Sequence, residues 1–265
     1  MYSRTPLDYL SAVGEEYAKR LRAAIRERKD ARKIRRITPD GNVVAEIDLI
    51  AERILRDVLL DLGTPVIIVS EDARMSKLGE RPEFTIIADP LDGTTNFIRG
   101  VPFYSFSLAL AKPEARPRLS DVFAGLVMDL CHNEVFLAQY EEGSRGLKAR
   151  TNDLQTKPLV SLYAYGVKID PKHFNAYQHL IGRGLGSLAL ETCYVARGRI
   201  DAVVDIRGVA RAVDIAGAIP ILKEAGGKIT DPRGRDLDVL LDALPKLSFI
   251  AARSDSVLKR IVSLL

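Results

Sequence analysis

The feature that most constrains this chain is a short apolar run that ends in two closely spaced carboxylates. Residues 84–87 have the length and residue types of a buried strand. Asp89 and Asp92 follow three residues apart, Pro90 stiffens the step between them, and Gly93 allows a turn into a helix. This turn therefore offers carboxylate oxygens for a hard cation and helix amides for a phosphate at one place.

A plainer interpretation of the same pattern is a helix cap with a solvated neighbour, which is the usual role of an isolated Asp-x-x-Asp. Two observations favour a binding site instead. The turn is locked by proline and followed at once by Gly-Thr, and further acidic residues occur where other predicted strands end or helices begin.

Composition describes a globular chain of ample size. The 265 residues are 47% hydrophobic and 28% charged, which suits one large domain or two small, closely packed ones. No apolar run approaches the ~18 residues that a membrane span needs, and the N-terminal pattern is amphipathic rather than that of a secretory signal. We expect a cytoplasmic protein without membrane partners.

Charge and cysteine usage narrow the function classes. A net charge of +4 suits an anionic substrate. Positive and negative side chains are interspersed along the sequence, which makes nucleic acid an unlikely partner. The basic segment 26–36 is the exception, and we interpret it as a solvated helix end and loop. Cys131 and Cys193 lack the spacing of a zinc site and are expected to be buried thiols. Abundant Arg, Lys and Glu with no Trp resemble a thermophile's composition.

Hydrophobic periodicity predicts an N-terminal half of residues 1–150 and a C-terminal half of residues 151–265. In the first half we expect helices at 6–28 and 46–62, a basic loop at 30–44, and strands at 66–69, 84–88, 105–112, 122–129 and 134–140. In the second half we expect helices at 172–181, 188–197, 213–225 and 254–265, and strands at 159–166, 202–206 and 247–252. Pro220 should break or kink the third of these helices. The alternation predicts a layered α/β fold.

Five acidic residues share a position at a strand end or in the first turn of a helix: Asp48, Glu71, Asp89, Asp92 and Asp214. If they converge, they repel one another, since two carboxylates about 4 Å apart cost roughly 4 kcal/mol at an effective dielectric near 20. Divalent, oxygen-binding cations relieve this repulsion, and Mg²⁺ is the usual choice beside phosphate.

The motifs resemble those of a known family. The central segment DPLDGTTNF, residues 89–97, is similar to the signature of the magnesium-dependent sugar phosphatases of the inositol monophosphatase superfamily. Ser70-Glu71-Asp72 resembles the family's Gly-Glu-Glu element, with Asp72 in place of the second Glu. Residues 213–218 and 224–227 resemble its Trp-Asp-x-Ala-Ala-Gly and Glu-Ala-Gly-Gly signatures, with Val213 in place of Trp.

This resemblance implies a layered αβαβα sandwich with a metal site between the two halves. It implies two or three Mg²⁺ ions per subunit, replaceable by Mn²⁺, with ligands from Glu71, Asp89, the Leu91 carbonyl, Asp92 and Asp214. It also implies that Thr94 and Asp48 activate the attacking water together with Glu71.

Substrate contacts are expected mainly from the second half. Residues 182–189 resemble the family's Gly-Ser/Thr-Ala segment, which implies contacts from Gly186, Ser187 and Leu188, beside Asp92, Gly93 and Thr94. Asp205 resembles an acidic residue that accepts a hydrogen bond from a polyol hydroxyl. Arg183 and Arg207 could bind a second phosphate, because guanidinium groups pair well with phosphate, or could form surface ion pairs.

The expected function is hydrolysis of fructose 1,6-bisphosphate and inositol 1-phosphate, as in archaeal dual-specificity members. The expected ligand is a small sugar or polyol phosphate, and the resemblance implies a homodimer. Alternatives are a narrower inositol monophosphatase, a 3′-phosphonucleotide phosphatase, a binding module of the transcription machinery, and a degenerate scaffold.

Overall fold

Helices and sheets alternate in layers in the computed structural model of the protein. It describes residues 5–38, 43–70, 74–145, 157–166, 179–241 and 245–265. The helices are α1 Pro6–Glu27, α2 Glu46–Leu62, α3 Thr94–Arg99, α4 Leu188–Ala196, α5 Ala212–Ile215, α6 Ala218–Glu224 and α7 Asp255–Val262. The strands are β1 Ile34–Ile37, β2 Val43–Ala45, β3 Val66–Ser70, β4 Arg74–Leu78, β5 Phe84–Asp92, β6 Ser105–Ala111, β7 Val122–Asp129, β8 Val135–Gln139, β9 Gly143–Arg145, β10 Leu159–Tyr163, β11 Ile181–Arg183, β12 Ala202–Ala210, β13 Lys228–Thr230 and β14 Leu247–Ala252.

The first two helices form where their apolar residues recur every three or four positions. Thr5 caps α1, accepting a hydrogen bond from the amide of Asp8 at 3.2 Å, and Pro6 occupies the first turn, where its missing N–H costs nothing. Gly63 ends α2 in a left-handed conformation. Both helices have the predicted extents to within a residue.

A seven-stranded sheet has the order β4-β3-β5-β6-β7-β8-β9. Only the β3–β5 pair is parallel among its described pairings. Helices α1 and α2 cover one face of this sheet in a continuous apolar core, where the ring of Tyr17 stacks on Phe106 with centroids 4.0 Å apart. The strands that carry the central motif are therefore fixed from the α1 side.

A five-stranded sheet of order β11-β10-β12-β14-β13 forms the second half. Its outer face packs on α7, through residues such as Val204, Ile250 and Leu258. Its inner face shares a core with α4, α5, α6 and the other face of the large sheet, including Val127, Phe249 and Ile215. The order of layers is therefore α/β/α/β/α, which confirms the predicted fold.

The helix predicted at 213–225 is broken into α5 and α6, as Pro220 led us to expect. Ala216 and Gly217 separate the two pieces. At this break the chain packs directly on the large sheet, so that a Cβ atom on Gly125 would lie 2.1 Å from the carbonyl oxygen of Gly217. The close contact fixes where α5 begins.

Several predicted elements were wrong in part. The basic loop at 30–44 contains the antiparallel pair β1–β2. The helix predicted at 172–181 falls mainly on undescribed residues, and its last residue belongs instead to β11. Strand β12 continues four residues past its predicted end because it bulges against β14 beyond Asp205. The division near residue 150 stays a prediction, and residues 146–156 are outside the described part.

None of the described helices is both long enough and apolar enough to cross a lipid bilayer.

Replacing Gly125 by alanine should lower the free energy of unfolding by about 3 kcal/mol, because the new methyl group meets a backbone carbonyl that cannot rotate away. Chemical denaturation measures the change. Gly182→Ala is the matched control, since a Cβ atom there meets nothing within 4 Å. Equal stability of the two variants would show that α6 does not press on the sheet as described.

Candidate active site

A cavity of about 490 Å³ opens between the two halves of the chain. Strand β5 and helix α3 form one wall, and the 184–188 segment, the end of β12 and α5 form the other. Its ionisable and hydroxyl-bearing lining residues are Asp89, Asp92, Thr94, Thr95, Tyr163, Tyr165, Arg207, Arg211 and Asp214. Three of the five acidic residues selected from the sequence therefore face one space.

The end of β5 carries the first two carboxylates. Pairing with β6 shifts register between Asp89 and Asp92, so that the Pro-Leu step bulges out of the ladder. The amide of Leu91 donates to Asp89 Oδ1 at 3.0 Å. From the helical layer, the Tyr17 hydroxyl donates to the Pro90 carbonyl at 2.5 Å. The turn is thus held from both sides of its backbone.

Asp92 joins the two halves. Its Oδ2 accepts hydrogen bonds from the Ser187 hydroxyl at 2.6 Å and the Ala189 amide at 2.8 Å, and its Oδ1 accepts from the Leu188 amide at 3.3 Å. Burial raises the pKa of Asp92 to about 7, the Ser187 hydrogen bond opposes that shift, and the charge of Asp214 adds to it. This carboxylate would gain from a nearby cation.

Asp214 lies in the first turn of α5, as predicted. The amide of Arg211 donates to its Oδ2 at 2.9 Å, and the Arg211 guanidinium donates to its Oδ1 at 3.1 Å. The bond from the Arg211 amide caps the helix and Asp214 lines the cavity, and its role as a metal ligand stays a prediction. Arg211 also belongs to this site, although no sequence pattern predicted it.

Thr94 and Asp48 are in direct contact. The Thr94 hydroxyl donates to Asp48 Oδ1 at 2.6 Å and lies 3.2 Å from the Leu91 carbonyl oxygen. The amide of Ala45, at the start of α2, donates to Asp48 Oδ2 at 2.7 Å. Since α2 fixes the carboxylate, the hydroxyl of Thr94 is oriented before any ligand binds.

Two glycines let the walls of the cavity meet. Gly93 and Gly186 have φ angles of +105° and +95°, which disfavour other residues. A Cβ atom on Gly93 would lie 3.1 Å from the Gly186 carbonyl oxygen, and one on Gly186 would lie 2.6 Å from the Asn96 side chain. Asn96 donates to the carbonyls of Phe103 and Leu185, at 2.7 and 2.6 Å, which ties the two walls together.

Arg207 reaches the cavity, but Asp205 does not line it. Asp205 is fully buried and accepts two hydrogen bonds from the Arg207 guanidinium, at 3.0 and 2.6 Å. The guanidinium carbon also lies 4.7 Å and 4.6 Å from the ring centroids of Tyr163 and Tyr165. The expectation that Asp205 accepts from a substrate hydroxyl is not supported by this placement.

Arg183 lies apart from the other predicted contacts. It is exposed on the edge strand β11, donates to the Gly182 carbonyl at 2.7 Å, and is not among the residues that line the cavity. Ser187 lies behind the wall, where it reaches Asp92, while Gly186 and Leu188 line the cavity directly.

The donor chemistry suits a hard divalent cation. Carboxylate and carbonyl oxygens are the ligands that Mg²⁺ prefers. Burial and the charge of Asp214 both raise the pKa of Asp92, and a bound cation would oppose both effects. Within the described ranges no three His, Cys, Asp or Glu side chains are close enough together to bind a metal by themselves. Glu71, the further predicted ligand, lies outside the described residues, and its role stays a prediction.

The sequence profile of the Inositol monophosphatase family matches residues 7–264. The chain belongs to the inositol monophosphatase family. This match spans nearly the whole chain, and it confirms the family inferred from the DPLDGTTNF segment and the two flanking motifs.

Curated relatives and solved structures of the family agree with this assignment. The chain is 35% identical over 237 residues to the fructose-1,6-bisphosphatase of Pyrococcus furiosus, covering 89% of each chain. It is 33% identical over 258 residues to the fructose-1,6-bisphosphatase/inositol-1-monophosphatase of Methanocaldococcus jannaschii, covering 96% of this chain and 98% of the relative. A crystal structure of an inositol monophosphatase-fructose 1,6 bisphosphatase superposes with a TM-score of 0.80 at 32% identity, covering 96% of this chain and 99% of that one.

Sequence reasoning missed four residues that shape this family site: Asn96, Tyr163, Glu191 and Arg211. Asn96 stands inside the central motif, so its position there was available as a signal. Glu191 is the lone charged residue of the otherwise apolar segment 188–196, and a lone carboxylate in such a helix signals a buried polar contact. Tyr163 and Arg211 carry no comparable signal.

Asp92 should make the EDTA-treated protein less stable as pH rises from about 4 to 7. Its folded-state pKa of about 7 exceeds the ordinary 3.8, so the native state binds more protons than the unfolded chain across this interval. Unfolding of the wild type and of Asp92→Asn at several pH values measures the effect, which the asparagine variant should lack. Parallel pH profiles for the two proteins would contradict the raised pKa.

Proposed function

We propose that this protein hydrolyses fructose 1,6-bisphosphate and inositol 1-phosphate with a metal-activated water. The observation that carries the proposal is one cavity lined by Asp89, Asp92, Asp214 and Thr94, whose hydroxyl donates to Asp48, in a chain of this family. The names of the two relatives supply the substrates. The enzyme is a phosphoric monoester hydrolase that acts on small phosphorylated molecules.

Magnesium is the metal that we propose, with manganese as a substitute. Asp89, Asp92, Asp214 and the Leu91 carbonyl would bind two or three ions together with Glu71. When bound, such ions lower the pKa of water and stabilise the charge that develops on phosphoryl oxygens. The carboxylates are oriented even without bound ions, because they already accept hydrogen bonds from Leu91, Ser187 and Arg211.

Thr94 and Asp48 supply the proton acceptor in this proposal. The Thr94 oxygen donates its proton to Asp48, which leaves its lone pairs able to accept a hydrogen bond from a water molecule in the cavity. As that water attacks phosphorus, its proton passes to Thr94, and the Thr94 proton passes to Asp48. The bond from phosphorus to the ester oxygen breaks, and the departing oxygen takes a proton from solvent water, which yields inorganic phosphate and the free alcohol. No covalent enzyme intermediate is needed.

The start of α3 faces the same cavity. Gly93, Thr94 and Thr95 line the cavity, and backbone amides at this turn would donate to the phosphate oxygens. Arg211 neutralises part of the negative charge of the carboxylates from the other wall. A dianionic phosphate can therefore approach a site that would otherwise repel it.

Arg207 is the residue that we propose for the second phosphate of a bisphosphate. Its paired carboxylate and the two tyrosine rings fix the guanidinium plane in the wall of the cavity. Two of its five N–H groups bind Asp205, and those that remain suit a phosphate dianion better than a hydroxyl. Arg183, by contrast, is exposed on an edge strand and is a poorer candidate.

The basic segment gives little support to a nucleic-acid function. Arg28 and Arg35 both pair with Glu46, at 3.6 and 2.5 Å, and Arg32 lies over the Phe97 ring at 5.7 Å. Three arginines of this segment therefore already have partners within the chain. Homodimerisation remains part of the proposal through the family alone.

Purified protein should release phosphate from fructose 1,6-bisphosphate and inositol 1-phosphate with added Mg²⁺, and EDTA should reduce the rate to the background. Release from a 3′-phosphonucleotide is measured alongside. Asp89→Asn should lose at least about a thousandfold in kcat/KM while the protein stays folded, because a metal-binding carboxylate is lost. Activity that survives both EDTA and this substitution would refute the metal-dependent proposal, and strong preference for the nucleotide would reassign the substrate.

Arg207→Lys should raise KM for fructose 1,6-bisphosphate about tenfold and leave KM for inositol 1-phosphate within about twofold. Lysine keeps a charge beside Asp205 but loses the two-point fork and the contact with the tyrosine rings. Arg183→Lys is the matched control and should leave both KM values unchanged. An equal rise for both substrates would place Arg207 outside the second phosphate contact.

A further inference from the structure

Glu191 is a fully buried carboxylate in the apolar helix α4. Burial raises its pKa, with hydrogen bonds from Ser161 and Tyr163 opposing the shift. Among the described ion pairs none involves Glu191. An apolar residue would fill the same volume without the desolvation cost, so the carboxylate must be explained by what it holds.

Three donors from two segments converge on this carboxylate. The hydroxyls of Ser161 and Tyr163, on β10, both donate to it, and so does the amide of Leu185 at 2.8 Å. The proton of Tyr163 must point towards Glu191, because the Tyr163 oxygen accepts a hydrogen bond from the Gly186 amide at 2.7 Å. Glu191 thus binds the amide of Leu185 directly and that of Gly186 through Tyr163.

The segment fixed in this way is the 184–187 loop, one wall of the cavity. Its Leu185 carbonyl accepts from Asn96, and its Ser187 hydroxyl donates to Asp92. The ring of Tyr163 also lies under Arg207. The loop is therefore tied to Glu191 and Tyr163 through its amides, and to Asn96 and Asp92 through Leu185 and Ser187.

We propose that Glu191 and Tyr163 are positioning residues that hold the 184–187 loop in the shape required to bind the substrate and to orient Asp92. The identity of the substrate rests on the proposed function, whereas the role of Glu191 and Tyr163 in fixing the loop does not. We assign neither side chain to the chemical step, because Glu191 does not line the cavity and the Tyr163 hydroxyl is already bonded to Glu191 and to the Gly186 amide.

Glu191→Gln keeps the size and shape of the side chain but removes its charge, and so tests whether the carboxylate fixes the loop. The amide group has one acceptor oxygen, so it cannot accept from Ser161, Tyr163 and Leu185 in the arrangement seen here. Hydrogen exchange of the Leu185 and Gly186 amides, followed by NMR in the full-length protein, should accelerate at least about tenfold. Tyr163→Phe should accelerate exchange at Gly186 and serves as the second variant if Glu191→Gln does not fold.

Thr192→Val is the matched control on the same helix. Thr192 is equally buried, but its hydroxyl donates only to the Leu188 carbonyl within α4, at 2.8 Å. Exchange at Leu185 and Gly186 should stay at the wild-type rate in this variant. Unchanged exchange in Glu191→Gln, or equal acceleration in the control, would overturn the proposal.

Kinetics separate positioning from a general loss of fold. Both Glu191→Gln and Tyr163→Phe should raise KM for the hydrolysed substrates about tenfold with a smaller change in kcat, and the double variant should be little worse than either. A fall in kcat that follows the folded fraction at constant KM would overturn the proposal. If the wild type hydrolyses none of the phosphate esters, the proposed function fails, and the exchange rates still decide whether Glu191 holds the loop.

Discussion

The hydrogen bonds from Ser187, Leu188 and Ala189 to the buried carboxylate of Asp92 join the two halves of this protein. They connect the last residue of a strand in one sheet to the first turn of a helix that packs on the other. The same carboxylate is desolvated and close to Asp214, so the interaction that closes the fold also concentrates negative charge in the cavity. The same carboxylate therefore serves both the fold and the charge of the cavity, and a substitution there changes both.

Much of this arrangement could be predicted because it is local. Strand β5, its carboxylates and the turn into α3 are encoded within residues 84–97, and the break before α6 follows from Pro220. The contact between Thr94 and Asp48 was inferred from the family, since 46 residues separate them and periodicity says nothing about such distances. The site residues that could be predicted without the family are those whose contacts in space are also close to them in the chain.

What could not be predicted depends on long-range pairing. Asp205 was assigned to a substrate hydroxyl because its position resembles that of an acidic residue in the family, but Arg207, two residues further along the same strand, pairs with it. Glu191 went unnoticed because its three donors come from β10 and the 184–187 loop, up to 30 residues away. The β1–β2 hairpin was missed because β1, Ile34–Ile37, is exposed along its whole length and has no alternation of apolar and polar residues.

The hydroxyl of Tyr17 has a consequence for how the chain acquires its structure during synthesis. It donates to a carbonyl 73 residues further along, and its ring stacks on a strand made later still. An emerging chain has therefore produced the whole of α1, apolar stripe included, before the strands of the large sheet on which it packs exist. A chaperone at the ribosome would shield this exposed stripe, and removal of Tyr17 would loosen the turn between Asp89 and Asp92 from a distance.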